Sequence, residues 1–308
     1  MIAMAEIAAA SRRPATSRPG IPGSAECAIR VRGLRKRYRS EAAVDGIDLD
    51  IKRGEIFALL GPNGAGKTTT IEILEGHRRR DGGEVSVLGA DPAAVGRAWR
   101  GRIGIVPQTQ IAAGELTVRE VVSQFGAYFP DPRDPDEVIG AVGLSSQART
   151  RLRRLSGGQL RRVDVAVGIV GRPELLFLDE PTTGFDPQAR RTFWDLIAGL
   201  ADDGTTIVLT THYLDEAAAL ASRVGVLAGG RLVAMGTPAD LGRVDDAATV
   251  SWQASDGIRT VRTDAPTGYV LALAREAGGE IAGLTVTRPS LEDRYLELIG
   301  ASQNGATS

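Results

Sequence analysis

Cysteine is all but missing from this sequence of 308 residues: Cys27 stands alone. That excludes an intrachain disulfide framework and a site built from several thiolates, and it fits a reducing compartment. Long apolar runs are missing too. No segment approaches the roughly 18–20 consecutive apolar residues of a membrane-crossing helix, so work at a membrane would need a second chain to span it. An excess of one charge is also lacking, since 37 basic against 38 acidic residues leave a formal net charge of -1. Nothing here marks a nucleic-acid surface or a polyacidic tail. Lysine is scarcer than the basic count implies, for only Lys36, Lys52 and Lys67 supply it. Where arginine serves almost everywhere else, a lysine inside a glycine-rich loop points to a chemical requirement.

What is present begins with a length that favours two domains, at roughly 150 residues each. Residues 1–25, with "SRRPATSRPGIPGS" from Ser11 to Ser24, have no periodicity and read as a leader without regular structure. Glu6 interrupts the opening apolar run and no basic residue precedes it, which argues against a secretory signal. From Ile29 the pattern turns strand-like, and "IDLDI" alternates with period two, as a strand buried on one face does. "EIFALL" is a continuous apolar run ending at Gly61, as expected of a strand buried on both faces.

A helix is expected from about Gly66 to Glu75, then strands at "EVSVLG" and "RIGIVPQ". Helices dominate residues 110–170, including one that follows "LSGG". Beyond it come the strand "ELLFLD", a helix from Pro187, the strand "TTIVLTT", the helix "LDEAAALAS" and the hairpin "RVGVLAGGRLVAMG". Strands alternating with helices predict an α/β fold with a mostly parallel sheet. After residue 240 the short strands "ATVSWQ" and "IRTVRT" and the helix "TGYVLALAREAGG" predict a small C-terminal α+β domain over 241–300, then a polar tail over 301–308. The main domain is expected over 26–240.

"GPNGAGKT" fits G-x-x-x-x-G-K-[ST] between a predicted buried strand and a helix. In such a loop, Gly61, Pro62, Asn63, Gly64, Ala65 and Gly66 wrap phosphate, every one but Pro62 with a backbone N–H to offer. Lys67 brings a point charge to the terminal phosphates, and Thr68, with Thr69 behind it, a hydroxyl for Mg²⁺. "LLFLDE" ends in two carboxylates: Asp179 can hold the metal shell while Glu180 polarises a water. A solvated acidic strand end is the plainer alternative for that pair alone. Gln108 and His212 each follow a predicted parallel strand, on the edge where such sheets bind ligands. The amide oxygen of Gln108 can reach metal and water, and His212 can reach a γ-phosphate. Taken singly, either residue could as well be structural. Tyr38 reads equally as a stacking platform for a base or as core. His77, in "EGHRRR", reads as a solvated helix end, and Arg151, Arg153 and Arg154 as a solvated basic face.

"LSGGQ", from Leu155 to Gln159, is a glycine turn opening into a helix, and so a second anion site about ninety residues after the first. With the phosphate loop, Gln108, "LSGGQ", "LLFLDE" and His212 in this order, the chain resembles the nucleotide-binding subunit of an ABC transporter over about Ile29 to Met235. The resemblance implies a P-loop NTPase with a RecA-like core, an antiparallel β subdomain and a helical subdomain, using ATP and Mg²⁺. It places Tyr38 on the adenine, Glu180 as catalytic base and Asp186, in "TTGFD", in the D-loop. It also implies a homodimer in which Ser156, Gly157, Gly158, Gln159 and Asp186 act in trans on the partner's ATP.

"LLFLDEPTTGFDPQARR", "THYLDEA" and "PSLEDRYLELIG" look more narrowly like the ATPases of ABC-2 type exporters of the daunorubicin-resistance group. Their permeases are separate membrane chains, which implies a peripheral position on the cytoplasmic face. Phe185 stands where leucine is usual in that group, and Tyr295 where phenylalanine is frequent. A soluble ABC ATPase of ribosomes or DNA is the alternative. One motif set, no sustained heptads and near-neutral charge argue against it.

Overall fold

The computed structural model describes residues 27–39, 41–108, 114–242 and 247–287, with residues 292, 295, 296, 299 and 300. The expected leader over 1–25, the tail over 301–308 and most of "PSLEDRYLELIG" lie outside the described residues.

The chain opens with two long strands, β1 (Cys27–Tyr38) and β2 (Glu41–Lys52), paired antiparallel. Alternating apolar positions of β1 and β2, among them Ile29, Val31, Ile47, Leu49 and Ile51, are buried, as period-two sequence requires. β3 (Ile56–Leu60) is buried at every position and delivers the chain into helix α1 (Lys67–Leu74). β4 (Gly82–Val87) returns to pair with β1, which completes a three-stranded antiparallel sheet in the order β2-β1-β4. The short α2 (Arg97–Arg100) leads to β5 (Ile103–Val106).

Three helices follow: α3 (Val118–Gly126), α4 (Pro135–Ala141) and α5 (Gly157–Ile169). Thr117 starts α3 with a reciprocal capping box to Glu120, and Asp134 caps α4 ahead of Pro135, the signals that fix helix entry. Then come β6 (Leu175–Asp179), α6 (Pro187–Asp202), β7 (Thr206–Thr211), α7 (Leu214–Leu220), β8 (Arg223–Ala228) and β9 (Arg231–Gly236).

β5, β6, β7, β3, β8 and β9 form a six-stranded sheet in that order, parallel except for β9. Alternation along its strands feeds two cores. Ala58, Leu60, Leu176, Leu178 and Leu209 face the helices α3 to α7. Phe57, Leu59, Phe177 and Val208 face α1 and the antiparallel sheet. The six-stranded sheet is thus clamped from both sides by apolar packing.

After α8 (Pro238–Gly242), a third sheet in the order β11-β10-β12 is built from β10 (Ala248–Ala254), β11 (Gly257–Thr263) and β12 (Thr285–Thr287), with α9 (Pro266–Ala277) between its last two strands.

Candidate nucleotide site

Register brings the candidate residues together. Leu60 of β3 is level with Thr211 of β7, Thr210 of β7 with Asp179 of β6, and Leu178 of β6 with Val106 of β5. Four neighbouring strands therefore release the chain at nearly one height. Gly61, His212, Glu180 and Gln108 follow them along the carboxyl edge, where α/β sheets bind ligands. A cleft of about 750 Å³ opens there, lined by Gly61, Pro62, Asn63, Gly64, Gly66, Lys67, Thr68, Thr69, Gln108, Glu180 and His212. Tyr38, Glu41 and Ala43 line it from β1 and β2, and Tyr295 from the C-terminal segment.

The loop needs its glycines for two physical reasons. Gly64 and Gly66 have φ of 80° and 99°, which side chains disfavour. A Cβ on Gly66 would also stand 2.2 Å from the Ala43 carbonyl oxygen, and one on Gly61 2.4 Å from that of Leu227. Lys67 is 7% exposed, and its Nζ donates to the carbonyls of Gly61 at 2.7 Å and Pro62 at 3.1 Å. Burial lowers its pKa, while the charges of Glu180 and Asp179 act to raise it. Ala65 departs from the expectation of a phosphate-lining residue. It is buried, its N–H donates to the Pro62 carbonyl at 3.2 Å and its own carbonyl accepts from Gly230 at 3.2 Å. Its place is to fasten the loop to the β8–β9 turn.

Asp179 closes β6, and its Oδ1 accepts from the Thr210 hydroxyl. It stands behind the cleft rather than among the lining residues. Glu180 leaves the strand with φ 47°, a conformation rare outside glycine and typical of functional strain. Its N–H is held by the carbonyl and hydroxyl oxygens of Thr210, both at 3.1 Å. The Glu180 carboxylate accepts from Gln108 Nε2 at 3.0 Å and faces His212 Nδ1 at 3.5 Å. Its side chain is 14% exposed and that of His212 42%.

Tyr38 is 40% exposed, which removes the core reading. Its ring has Lys36 Nζ at 5.6 Å and the Arg78 guanidinium at 5.3 Å from the centroid, both within cation–π range. His77 is an exposed side chain 3.3 Å from Glu75, and Arg151 and Arg153 pair at the surface with Glu115.

Ser156, Gly157, Gly158 and Gln159 lie at the start of α5, outside their own chain's cleft. Gln159 N–H donates to Ser156 Oγ at 3.3 Å, and Ser156 N–H to Gln159 Oε1 at 3.0 Å, a reciprocal capping box. Asp186 is outside the cleft too, capping α6 by accepting from Gln188 at 3.0 Å and Ala189 at 2.8 Å. Beside it Phe185 meets Phe193 edge-on, with centroids 5.6 Å apart, and its ring passes 3.8 Å from where a Cβ on Gly158 would stand.

Two residues of consequence carry no local signal in the sequence. Arg161 of α5 is 3% exposed and donates to the carbonyls of Pro107, of Pro181 at 3.2 Å and of Asp179 at 2.6 Å. One guanidinium thereby joins the "LSGGQ" helix to the strand ends that carry Gln108 and Glu180. Tyr295, marked by the sequence only as a departure, lines the cleft while packing against the larger core, and burial pushes its phenol pKa up.

A glycine loop set on a central parallel strand, with a lysine at its end and a carboxylate pair on the neighbouring strand end, defines a nucleoside triphosphatase of the P-loop class. The family profile described as ABC transporter matches residues 44–183. Daunorubicin resistance ATP-binding protein DrrA3 of Streptomyces coeruleorubidus is 36% identical over 307 residues, covering 90% of this chain and 97% of that protein. This chain belongs to the ABC transporter family, as an ATP-binding subunit that hydrolyses ATP. Nod factor export ATP-binding protein I of Ralstonia nicotianae is 41% identical over 219 residues, 69% of this chain and 68% of that one. In fold, a solved ATP-binding subunit of an ABC transporter matches with a TM-score of 0.66 at 24% identity, over 88% of this chain and 98% of that chain.

Proposed function

We propose that this chain powers export of a drug-like or lipophilic substrate, two copies closing head to tail on two MgATP and driving a separate ABC-2 type permease from the cytoplasmic face. The drug-resistance and Nod-factor-export relatives support the direction. No helix of the described residues is long and apolar enough to cross a membrane, which fits a permease supplied by another chain. Residues 26–240 act as the ATPase cassette and 241–300 as an accessory domain.

Tyr38 stacks on the adenine, and the N–H groups of Asn63, Gly64 and Gly66 to Thr69 hold the phosphates. Phosphate oxygens replace the two carbonyls now bonded to Lys67 Nζ. Glu180 takes the proton of the attacking water, with Gln108 and His212 holding its carboxylate in place. Thr68, Asp179 and Gln108 offer hydroxyl, carboxylate and amide oxygens, a donor set that suits Mg²⁺. Gln108 turns its amide nitrogen to Glu180, which leaves its oxygen for the ion. Mg²⁺ held there would supply charge neutralisation to the phosphates. Ser156, Gly157, Gly158, Gln159 and Asp186, which lie outside their own cleft, complete the partner's.

The observation that carries this reading is the Glu180 carboxylate held between Gln108 and His212 in the cleft of Lys67. Glu180→Gln is expected to bind ATP normally, to lose turnover and to accumulate as an ATP-bound dimer on size-exclusion chromatography, while Lys67→Ala weakens ATP binding itself. Undiminished turnover of Glu180→Gln would remove that residue from the role of base.

A further inference from the structure

Behind the catalytic pair lies a second polar cluster that the nucleotide cleft does not include. Glu216 of α7 and Thr182, in the segment after β6, are both 0% exposed. Around the Glu216 carboxylate stand Thr211 at the end of β7, Thr182, and Trp194 and Arg190 of α6. Burial raises its pKa most, and hydrogen bonding from the two threonines and Trp194, with the charge of Arg190, pulls it back. Yet Thr182 Oγ1, Trp194 Nε1, Arg190 Nε and both Glu216 oxygens are buried without a closed hydrogen bond. Buried polar atoms left so are costly, and packing alone would be better served by apolar side chains.

Position explains why the cluster is polar. Thr182 is two residues beyond Glu180, and Thr211 immediately precedes His212. Thr211 Oγ1 also accepts from the Tyr213 N–H at 3.0 Å. Tyr213 lies against His212 with ring centroids 4.1 Å apart and carries the Arg190 guanidinium 4.5 Å from its own centroid. The cluster therefore grips the chain on both sides of the 3.5 Å contact between His212 and Glu180. Catalytic hydrogen bonds are often long in an empty enzyme and tighten with substrate.

We infer that Glu216 is a positioning residue: by drawing Thr182 and Thr211 onto one carboxylate, it sets the spacing of Glu180 and His212 when the site closes on ATP. The inference rests on the reading of Glu180 and His212 as the pair that acts on ATP. Trp194 and Arg190 supply the remaining donors, so the helix that follows Asp186 is tied to the same point.

The test is steady-state ATPase of the full chain, with ATP affinity by calorimetry and a thermal melt of each variant. Glu216→Ala is expected to lower kcat about 10- to 100-fold, with KM and ATP affinity within about 2-fold of the parent. Glu216→Gln, which keeps an acceptor oxygen for the threonines, retains most of the turnover. In a His212→Ala background, Glu216→Ala costs less than about 3-fold more, because the two act as one unit. Should Glu216→Ala fail to fold, Thr182→Val removes one donor at constant shape and carries the same expectation. Unchanged kcat in a folded variant, a loss confined to KM, or a full multiplicative loss on top of His212→Ala overturns the inference. Glu180→Gln run in parallel separates the two levels. If it alone is inactive, only the positioning role of Glu216 falls; if it is active, the catalytic pair falls with it.

Discussion

At the scale of single residues, the cleft is surrounded by charges that the fold has taken out of water. Lys67, Arg161 and Glu216 are each less than 8% exposed, and each is bonded to, or faces, groups on at least one other segment. Glu75, just beyond α1, belongs with them. It is 7% exposed, and burial, with the charges of Asp179 and Glu72 adding to it, pushes its carboxyl up to about 8 from 4.5. The unfolded chain releases that proton near pH 4.5, while the folded chain keeps it until about pH 8. Folding is therefore unpenalised by Glu75 at low pH, and loses stability progressively as pH rises through that window, by roughly 3–5 kcal/mol at most. Glu75→Gln is expected to melt like the parent near pH 4 and increasingly above it from pH 5 to 8, in nucleotide-free protein followed by circular dichroism. A constant difference across that range would show that the carboxyl is solvated after all.

At the scale of elements, the strands were the easiest features to read. Runs such as "EIFALL" and "LLFLDE" become β3 and β6 because a strand covered on both faces reads as a near-continuous apolar run. The capping signals before α3, α4 and α6 stand where the helices begin. The four-residue α2 and five-residue α8 are too short for any periodicity to show. Within the site, the residue types at strand ends were legible because phosphate chemistry demands them. Arg161 and Glu216 were not. An arginine in "QLRRVD" or a glutamate in "LDEAAAL" reads as a solvated helix face, and only packing between distant segments buries it. Phe185 is the intermediate case, a visible departure whose effect needed the structure. Replacing it by leucine gives up the edge-on contact with Phe193 and the ring beside Gly158. Chemical denaturation is expected to show a loss of about 1 kcal/mol. No loss, or a gain, would mean that the loop repacks freely.

At the scale of the whole molecule, the start of α5 lies outside the cleft of its own chain's phosphate loop. Ser156→Arg is expected to leave ATP binding by one chain intact while abolishing ATP-dependent dimerisation and turnover, as read by light scattering and phosphate release; an active dimer of this variant would end the in-trans reading. The capping box there has one more effect. The Ser156 oxygen already accepts from Gln159, so its rotamer is fixed and its proton is left to give. In the proposed pair, the surface offered to the partner's nucleotide is thus set before the partner arrives, and docking freezes little that was free. The pace of closure then belongs to encounter rather than to loop ordering. Per-chain closure should quicken in proportion to how densely the subunits are held, so that tethering to the proposed permease would be a kinetic device as well as a mechanical one.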